Sequence, residues 1–173
     1  MWRKLALGTG LFLAGALSAY AQSPGIVETI GAADAAYNPQ LAPDGSYVAM
    51  ECSPMREPAV CIYSLTENAK PKLFQIPDKA RLTDMYWASP EHLIVNVNIF
   101  DRIGTSSGLR EYRFDRAIAY NVSTGQSAFL LKKEARYYTQ ADVMLAMMPD
   151  EPDKVLMALA SDEFHTYEVD LNS

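Results

Sequence analysis

Short apolar runs of strand length recur along the chain, each directly after a turn of proline and acidic residues. The runs span 47–50, 92–97 and 154–159, and the turns are Pro43-Asp44-Gly45, Pro90-Glu91 and 149–153. Apolar runs of about four to eight residues bounded by such turns predict β-strands. Because helical periodicity is scarce, the pattern indicates an all-β protein.

A second type of strand follows each of these runs. In it a tyrosine precedes an aliphatic residue by two positions, and a polar turn comes next. The tyrosines are Tyr63, Tyr120 and Tyr167, which are 57 and 47 residues apart. A four-stranded propeller blade repeats at roughly 40–50 residues. The period therefore favours propeller blades over the alternative, a β-sandwich, which has regular turns but no such longer repeat.

The first 21 residues have the three parts of a secretory signal peptide. Arg3 and Lys4 precede an apolar run from Leu5 to Leu17, and Ala19-Tyr20-Ala21 offers small side chains at a peptidase site. There are two alternatives. A buried N-terminal helix is disfavoured because no polar residues alternate with the apolar run, and a retained membrane anchor is disfavoured because the run is too short. We expect cleavage after Ala21, a mature chain of residues 22–173, and a periplasmic or secreted location.

The charge of the chain disfavours two classes of partner, nucleic acids and membranes. The net charge is −6, and removal of Arg3 and Lys4 makes the exported product more acidic still. An acidic chain without a clustered basic face is a poor binder of nucleic acid, and it has no basic amphipathic stretch for a membrane surface. We therefore expect neither nucleic acid nor, after cleavage, a membrane as partner.

Cys52 and Cys61 are the two cysteines of the chain, and export would place them where disulfides persist. Each lies in a strand-like segment, and the segment between them contains two prolines and reads as a turn. A hairpin would bring the thiols together, so we predict a Cys52–Cys61 disulfide, with two buried free thiols as the alternative. The spacing suits neither a redox motif nor a zinc site.

The length of the mature chain allows about three such repeats, whereas propellers close with about four to eight blades. The sequence ends at Asp170-Leu171-Asn172-Ser173, inside a turn that would lead to a further strand. We therefore predict a partial β-propeller domain over 22–173, made of about three antiparallel four-stranded blades.

Five segments resemble the N-terminal propeller of the secreted S9 (prolyl oligopeptidase and acylaminoacyl peptidase) family of serine peptidases. They are APDGSYVAM (42–50), VCIYSL (60–65), MYWASPEHLIVNV (85–97), AIAYNVSTGQS (117–127) and YEVDLNS (167–173). The resemblance implies a propeller that caps an α/β-hydrolase domain and filters substrates. The catalytic residues of that family lie in the hydrolase domain, and no segment here matches it.

The resemblance thus implies a non-catalytic propeller segment that gates substrate or contacts a partner, either a hydrolase domain or another protein. No catalytic, cofactor-binding or metal-binding residue is assigned. The alternative is a self-sufficient periplasmic binding or scaffold protein of the TolB-like kind, which would complete its ring as a homo-oligomer.

One segment matches the nucleophile motif of serine hydrolases. Gly104-Thr105-Ser106-Ser107-Gly108 fits the nucleophile motif, and Asp142, Asp150 and His165 follow in hydrolase order. A nucleophile elbow requires a strand before the serine and a helix after it. Because residues 109–115 alternate like a strand, we interpret the string as a loop between two strands.

The remaining candidates have ordinary structural interpretations. His92 is expected in a turn and His165 at the start of a strand, each at the surface or with its hydrogen bonds satisfied. Asp142, Asp150, Glu151 and Asp153 lack the spacing of a calcium loop and are predicted to be solvated turn residues.

The connection from Asn98 to Arg116 departs most from the repeat. It interleaves four arginines with three acidic residues, and we predict an inserted hairpin with cross-strand charge pairs. If the chain has a partner surface, this hairpin is the first candidate for it.

Overall fold

Twelve β-strands and two short 3-10 helices, Pro54–Arg56 and Glu134–Tyr137, form the regular structure of residues 37–160 and 164–173, the part of the chain that the computed structural model describes. They are β1 (Tyr37–Leu41), β2 (Tyr47–Cys52), β3 (Ala59–Ser64), β4 (Lys72–Gln75), β5 (Ala80–Trp87), β6 (His92–Thr105), β7 (Gly108–Asn121), β8 (Ser127–Phe129), β9 (Gln140–Ala141), β10 (Val143–Met147), β11 (Lys154–Ala160) and β12 (Phe164–Asp170). The predicted signal peptide, residues 1–21, lies outside the described residues.

The strands form three sheets in chain order. The first is β1-β2-β3-β4 and the second β5-β6-β7-β8, with neighbouring strands antiparallel; β9 adds to the second sheet parallel to β7. The third, β10-β11-β12, has three strands in the described part of the chain rather than the expected four. The all-β prediction is confirmed, whereas the assignment of the sheets as propeller blades stays a prediction. Within residues 37–160 and 164–173, no helix is long and apolar enough to cross a membrane.

One backbone hydrogen bond recurs in all three sheets and defines their equivalent positions. The N–H groups of Leu65, Val122 and Leu171 donate to the carbonyls of Ser46, Glu91 and Asp153, each at 2.8 Å. The donors directly follow β3, β7 and β12. The acceptors directly precede β2, β6 and β11, the strands that pair with them. The pairs β2–β3, β6–β7 and β11–β12 are therefore equivalent.

This alignment corrects the predicted register of the third repeat. Tyr63 and Tyr120 are equivalent, as predicted, because they lie two residues before Leu65 and Val122. The equivalent of these tyrosines in the third sheet is Val169, not Tyr167. The Tyr-x-aliphatic pattern selected Val169 as the closing aliphatic residue, whereas Leu171 makes the recurring hydrogen bond.

A side-chain oxygen caps the turn after each of the equivalent strands. Ser64 Oγ accepts from the Glu67 N–H at 3.0 Å, Asn121 Oδ1 accepts from the N–H groups of residues 123 and 124 at 2.9 Å each, and Asp170 Oδ1 accepts from the Asn172 N–H at 2.8 Å. Such short polar side chains satisfy the backbone where the chain reverses. Three different residue types thus perform the same task in the three repeats.

The middle sheet is buried on both faces. On β6, Leu93, Val95 and Val97 pack toward the first sheet, whereas Ile94 packs toward the third, because successive side chains of a strand point to opposite faces. All six residues from His92 to Val97 are buried. The first core also contains Ala49, Val60, Ile62, Phe74, Trp87 and Tyr120, and the second contains Leu130, Val155, Met157, Leu159, Val169 and Leu171.

Each sheet uses the same face for the same neighbour. The cross-strand pairs Leu93–Tyr120 and Val155–Val169 are equivalent, and each faces the preceding sheet. The pairs Ala49–Ile62 and Ile94–Ala119 are also equivalent, and each faces the following sheet. The three sheets are therefore stacked by a repeated, head-to-tail packing of the same two surfaces.

Cys52 and Cys61 form a disulfide across the β2–β3 hairpin, with their Cα atoms 5.8 Å apart. Cys61 pairs with Met50 in the strand register and Cys52 with Ala59, so the bridge joins diagonal neighbours on one face. The predicted pairing is confirmed. The segment between the strands contains a single 3-10 turn, Pro54–Arg56.

Burial of the middle sheet predicts a steep difference between two leucines. Leu93 is 0% exposed and Leu109 is 75% exposed. We expect Leu93→Ala to lower the free energy of unfolding by about 2–5 kcal/mol, since it leaves a cavity between two sheets. Leu109→Ala, the same change in the hairpin, should alter it by less than about 0.5 kcal/mol. Urea unfolding measures both, and equal losses would contradict the central position of β6.

Candidate functional site: the long hairpin and its base

The longest element is the β6–β7 hairpin, whose strands have 14 residues each and pair down to Thr105 opposite Gly108. On one side β5 pairs with β6 only as far as Ile99, and on the other β9 pairs with β7 at Asp115 and Arg116. The outer half, 101–113, therefore extends as a two-stranded ribbon beyond the sheet. The predicted inserted hairpin is confirmed as a continuation of the two central strands.

The serine motif lies at the tip of this ribbon. Ser106 and Ser107 form the turn between β6 and β7, and Gly108 takes a φ of 112°, which disfavours any residue with a side chain. A strand precedes Ser106 and another strand follows the turn, so the strand-to-helix elbow of a hydrolase is not formed there. The interpretation as a loop between strands agrees with this geometry.

The other residues of the apparent hydrolase order lie in separate parts of the fold. Asp142 lies between β9 and β10, Asp150 in the turn before β11, and His165 in β12.

Ion pairs cross the ribbon or lie along it, as its charge pattern predicts. Arg102 Nε is 3.7 Å from Glu111 Oε2, and both side chains are largely exposed. Arg113 Nε is 3.2 Å from Asp115 Oδ1, whose side chain is only 12% exposed. The exposed pair contributes little to stability, about 0–1 kcal/mol. The charges of the ribbon are thus available to a partner at small structural cost.

A cleft of about 420 Å³ lies at the base of the ribbon, lined by Lys79, Ala80, Arg81, Phe100 and Glu111. The guanidinium carbon of Arg81 is 5.6 Å from the centroid of the Phe100 ring. Neither Lys79 nor Arg81 has an ion pair with any described residue. A cation held against an aromatic ring beside an open cleft is suited to bind a carboxylate.

Arg116 fixes the base of the hairpin to the loop that precedes β9. Its guanidinium donates to the carbonyls of Asp115 at 2.8 Å, Thr139 at 3.1 Å, Tyr138 at 2.9 Å and Ala135 at 3.3 Å. The carbon of the guanidinium is also 5.2 Å from the centroid of the Phe114 ring. Partial burial lowers the pKa of Arg116, and the charges of Asp115 and Asp142 act against that shift. Arg116 therefore has a structural role, since its guanidinium is engaged by backbone carbonyls and is not available to bind a partner.

Several buried polar groups lie near Arg116, between the second and third sheets. Asp115 is 9% exposed and accepts a hydrogen bond from Asn98 Nδ2 at 2.5 Å. Nearby, three buried atoms, Tyr86 Oη, Asn96 Oδ1 and Asp142 Oδ1, lack a hydrogen-bond partner among the described residues. Burial raises the pKa of Tyr86 to about 12, and the nearby Asn96 side chain opposes that shift.

Asp142 corrects one expectation from the sequence. It was predicted as a solvated turn residue, yet its Oδ1 atom is buried. Burial and then the charge of Asp115 raise the pKa of Asp142. The reason is that Asp142 sits between β9 and β10, where the chain passes from the second sheet to the third. By contrast Asp150, Glu151 and Asp153 are exposed turn residues, as expected.

His92 begins β6, as the apolar run 92–97 predicts, and does not lie in a turn. It is fully buried, and its hydrogen bonds are satisfied, as one of the two predicted outcomes had it. Its Nδ1 lies 3.1 Å from Ser89 Oγ, and its Nε2 lies 3.0 Å from Asn172 Oδ1 and 3.1 Å from Asn121 Nδ2. The histidine therefore joins the capping turns of the second and third sheets.

These polar groups do not form a metal site in the described ranges, where no group of three or more His, Cys, Asp or Glu side chains could hold an ion. The hairpin was predictable from the sequence, whereas the roles of Arg81, Phe100, Tyr86 and Asn96 were not predicted. Asn96 carried a signal, since it is the one polar residue after His92 in the apolar run 92–97. Arg81 and Phe100 carried none, because they lie on strands whose pairing brings them together.

No protein-family model matches this chain, and no curated protein matches it.

The buried carboxyl group predicts a pH-dependent effect of Asp142→Asn. Because the pKa of Asp142 is raised in the folded protein, ionisation of this group costs stability as pH rises through that pKa. The substitution should therefore raise the free energy of unfolding more at pH 7 than at pH 3, as measured by urea unfolding. Asp150→Asn, in an exposed turn, controls for the loss of one charge. An equal effect of Asp142→Asn at both pH values would contradict the burial of the carboxyl.

Proposed function

We propose that this chain is a non-catalytic, exported binding module and that the β6–β7 hairpin, with the basic cleft at its base, contacts the partner. The observation that carries the proposal is the extension of two central strands into an exposed ribbon. Their inner halves are buried between two sheets, so the ribbon projects from the sheet that is packed on both of its faces. A rigid scaffold with an exposed extension is the usual arrangement of a recognition element.

The chemistry of the base indicates an acidic partner segment. Lys79 and Arg81 lie on the cleft without an ion pair in the described part of the chain, and Arg81 is held against Phe100. Arg110 adds an exposed cation further along the ribbon. Glu111 also lines the cleft but is paired with Arg102, so Lys79 and Arg81 give the cleft a local positive charge in a chain of net charge −6. A carboxylate-bearing peptide would gain ion pairs from the arginine and an apolar contact from the phenylalanine.

As a propeller segment similar to those of prolyl oligopeptidase relatives, the chain would act beside a hydrolase domain or another protein and would gate access to it. Its three stacked sheets and its hairpin disulfide are compatible with an exported propeller. The reaction itself would belong to the partner.

The head-to-tail stacking supports a second candidate, a self-sufficient TolB-like scaffold that oligomerises. At each interface the same face of one sheet packs against the opposite face of the next sheet. Successive copies of the chain can continue this arrangement. Sedimentation analysis separates the candidates, since a stable homodimer would favour the scaffold and a monomer the gating segment.

Binding of an acidic probe tests the proposed surface. We expect a fluorescein-labelled peptide of alternating Glu and Ala to bind the wild-type protein and to bind Arg81→Glu at least about tenfold more weakly, since the substitution replaces an attraction by a repulsion. Fluorescence anisotropy measures the Kd. Binding should also weaken as salt rises from about 0.05 to 0.3 M, because the ribbon is exposed to solvent.

Lys70→Glu supplies the matched control, because it makes the same change of sign at an exposed site in the loop between β3 and β4. It should leave the Kd within about twofold of wild type. The proposed surface would be wrong if both variants bound alike, or if the probe failed to bind the wild-type protein at all.

Activity measurements test the non-catalytic part of the proposal. We expect the purified mature chain to show no turnover of aminoacyl or prolyl chromogenic peptides above the rate in buffer, because Ser106 occupies a hairpin turn instead of a nucleophile elbow. Ser106→Ala should leave the background rate unchanged. Turnover that this substitution abolishes would show that the chain is an enzyme.

A further inference from the structure

The ribbon and its base present two faces with different side chains. Successive residues of a strand point to opposite faces, and residues paired across two strands share a face. Phe100, Arg102 and Gly104 of β6 therefore lie on one face, together with the residues of β7 that pair with them. Those partners are Arg113, Glu111 and Leu109. The face that carries these six residues is called the cleft face below.

The basic cleft opens onto one end of the cleft face. Phe100 and Glu111, both on this face, line the cleft. Arg81 lies on the same face, because it pairs with Asn98, two residues before Phe100. The positive charge of the cleft is therefore presented at the base of the cleft face.

An open apolar position lies at the other end of the cleft face, near the tip of the ribbon. Leu109 is 75% exposed, and its partner Gly104 has no side chain to cover it. Apart from the chain neighbours of Gly104, no heavy atom of the described residues lies within 4 Å of the place where a Cβ atom would stand. The backbone does not require glycine there, because the φ of Gly104 is not positive. The space beside Leu109 can therefore accept an apolar side chain of a partner.

An ion pair separates the cleft from this apolar position. Arg102 and Glu111 lie between the two, with their charged atoms 3.7 Å apart and their side chains 74% and 60% exposed. The two charges compensate each other, so this part of the face attracts neither sign strongly. An apolar side chain placed on the pair would remove water from both charges at a cost. A neutral polar side chain is suited to this middle position.

Strand geometry fixes the separation of the two ends. Phe100 and Gly104 are four residues apart on β6, so the cleft and the apolar position are about 13 Å apart along the face. An extended partner segment has the same rise per residue and the same alternation. Its side chains four positions apart therefore span this distance and point to the same side. Side chains three positions apart point to opposite sides.

We propose that the cleft face binds an extended segment of a partner protein that carries an acidic residue and, four positions away, an apolar residue. The acidic side chain meets Lys79 and Arg81 in the cleft, and the apolar side chain packs on Leu109 in the space left by Gly104. A polar residue midway between them faces the ion pair. This inference rests on the proposed function, because it uses the same cleft, and it adds the sequence pattern that selects the partner.

Three unlabelled nonapeptides test the spacing. Each has blocked termini, a central glutamate and threonine at the remaining positions, because threonine favours extended backbone. The first has a leucine four positions to either side of the glutamate, the second has each leucine three positions away, and the third has no leucine. The symmetrical design tests both chain directions at once. Competition with the fluorescein-labelled Glu–Ala peptide for the full mature chain, followed by fluorescence anisotropy, gives each Kd.

We expect the first peptide to bind about three- to tenfold more tightly than the third, because its leucine buries apolar surface on Leu109. The second peptide should stay within about twofold of the third, because its leucines point away when the glutamate is in the cleft.

Leu109→Ala and Gly104→Thr test the apolar position itself. The first substitution removes the surface that the leucine covers, and the second fills the space beside it without a clash. Each should abolish the difference in Kd between the first and third peptides. Ile103→Ala is the matched control, because Ile103 is also apolar and exposed but lies on the opposite face of the ribbon, paired with Arg110. It should retain the full difference.

Several results would overturn the proposed pattern. They are equal gains from the two leucine spacings, a gain that survives Leu109→Ala, and a gain that Ile103→Ala also removes. If the labelled Glu–Ala peptide binds through Arg81 but the first peptide gains nothing over the third, the pattern is wrong and the proposed function stands. If the labelled peptide does not bind the wild-type protein, the proposed function and the pattern are both wrong.

Discussion

Burial of the middle sheet on both of its faces is the constraint on which the rest of the structure depends. β6 contributes six consecutive buried residues, His92 to Val97, and divides them between the two cores. Because the odd residues face one neighbouring sheet and Ile94 faces the other, a shift of register by one residue would exchange the two sets. The packing of both outer sheets therefore follows from the register of this strand, and so does the direction in which the hairpin leaves the stack.

The sequence predicted the features that depend on local pattern. The strand runs, the turns before them, the disulfide across the β2–β3 hairpin and the inserted hairpin all follow from alternation, turn residues and spacing. The register of the third repeat was wrong because the pattern required a tyrosine, which only Val169 follows by two positions, whereas Leu171 makes the hydrogen bond between distant segments that defines the repeat. Local pattern does not report such a bond.

The residues of the candidate site were harder to predict, for a related reason. Arg81 and Phe100 meet because β5 and β6 pair, and Asp142 is buried because the chain passes there from one sheet to the next. The same aspartate in an isolated stretch of sequence resembles any turn residue. His92 likewise becomes a buried connection only when Asn121 and Asn172 are brought to it from other strands. Burial of a polar group is a property of the assembled fold.

The four carbonyls held by Arg116 have a mechanical consequence. The guanidinium links β7, at the root of the ribbon, to residues 135–139, the segment that leads through β9 into the third sheet. This side chain acts beside the main-chain pairing of β7 with β9, so backbone and side-chain hydrogen bonds together join the root of the ribbon to the segment that enters the third sheet. A force applied to the ribbon by a bound partner would therefore reach the third sheet through this joint. Replacement of Arg116 would loosen the joint without breaking it, because the strand pairing and the shared core remain.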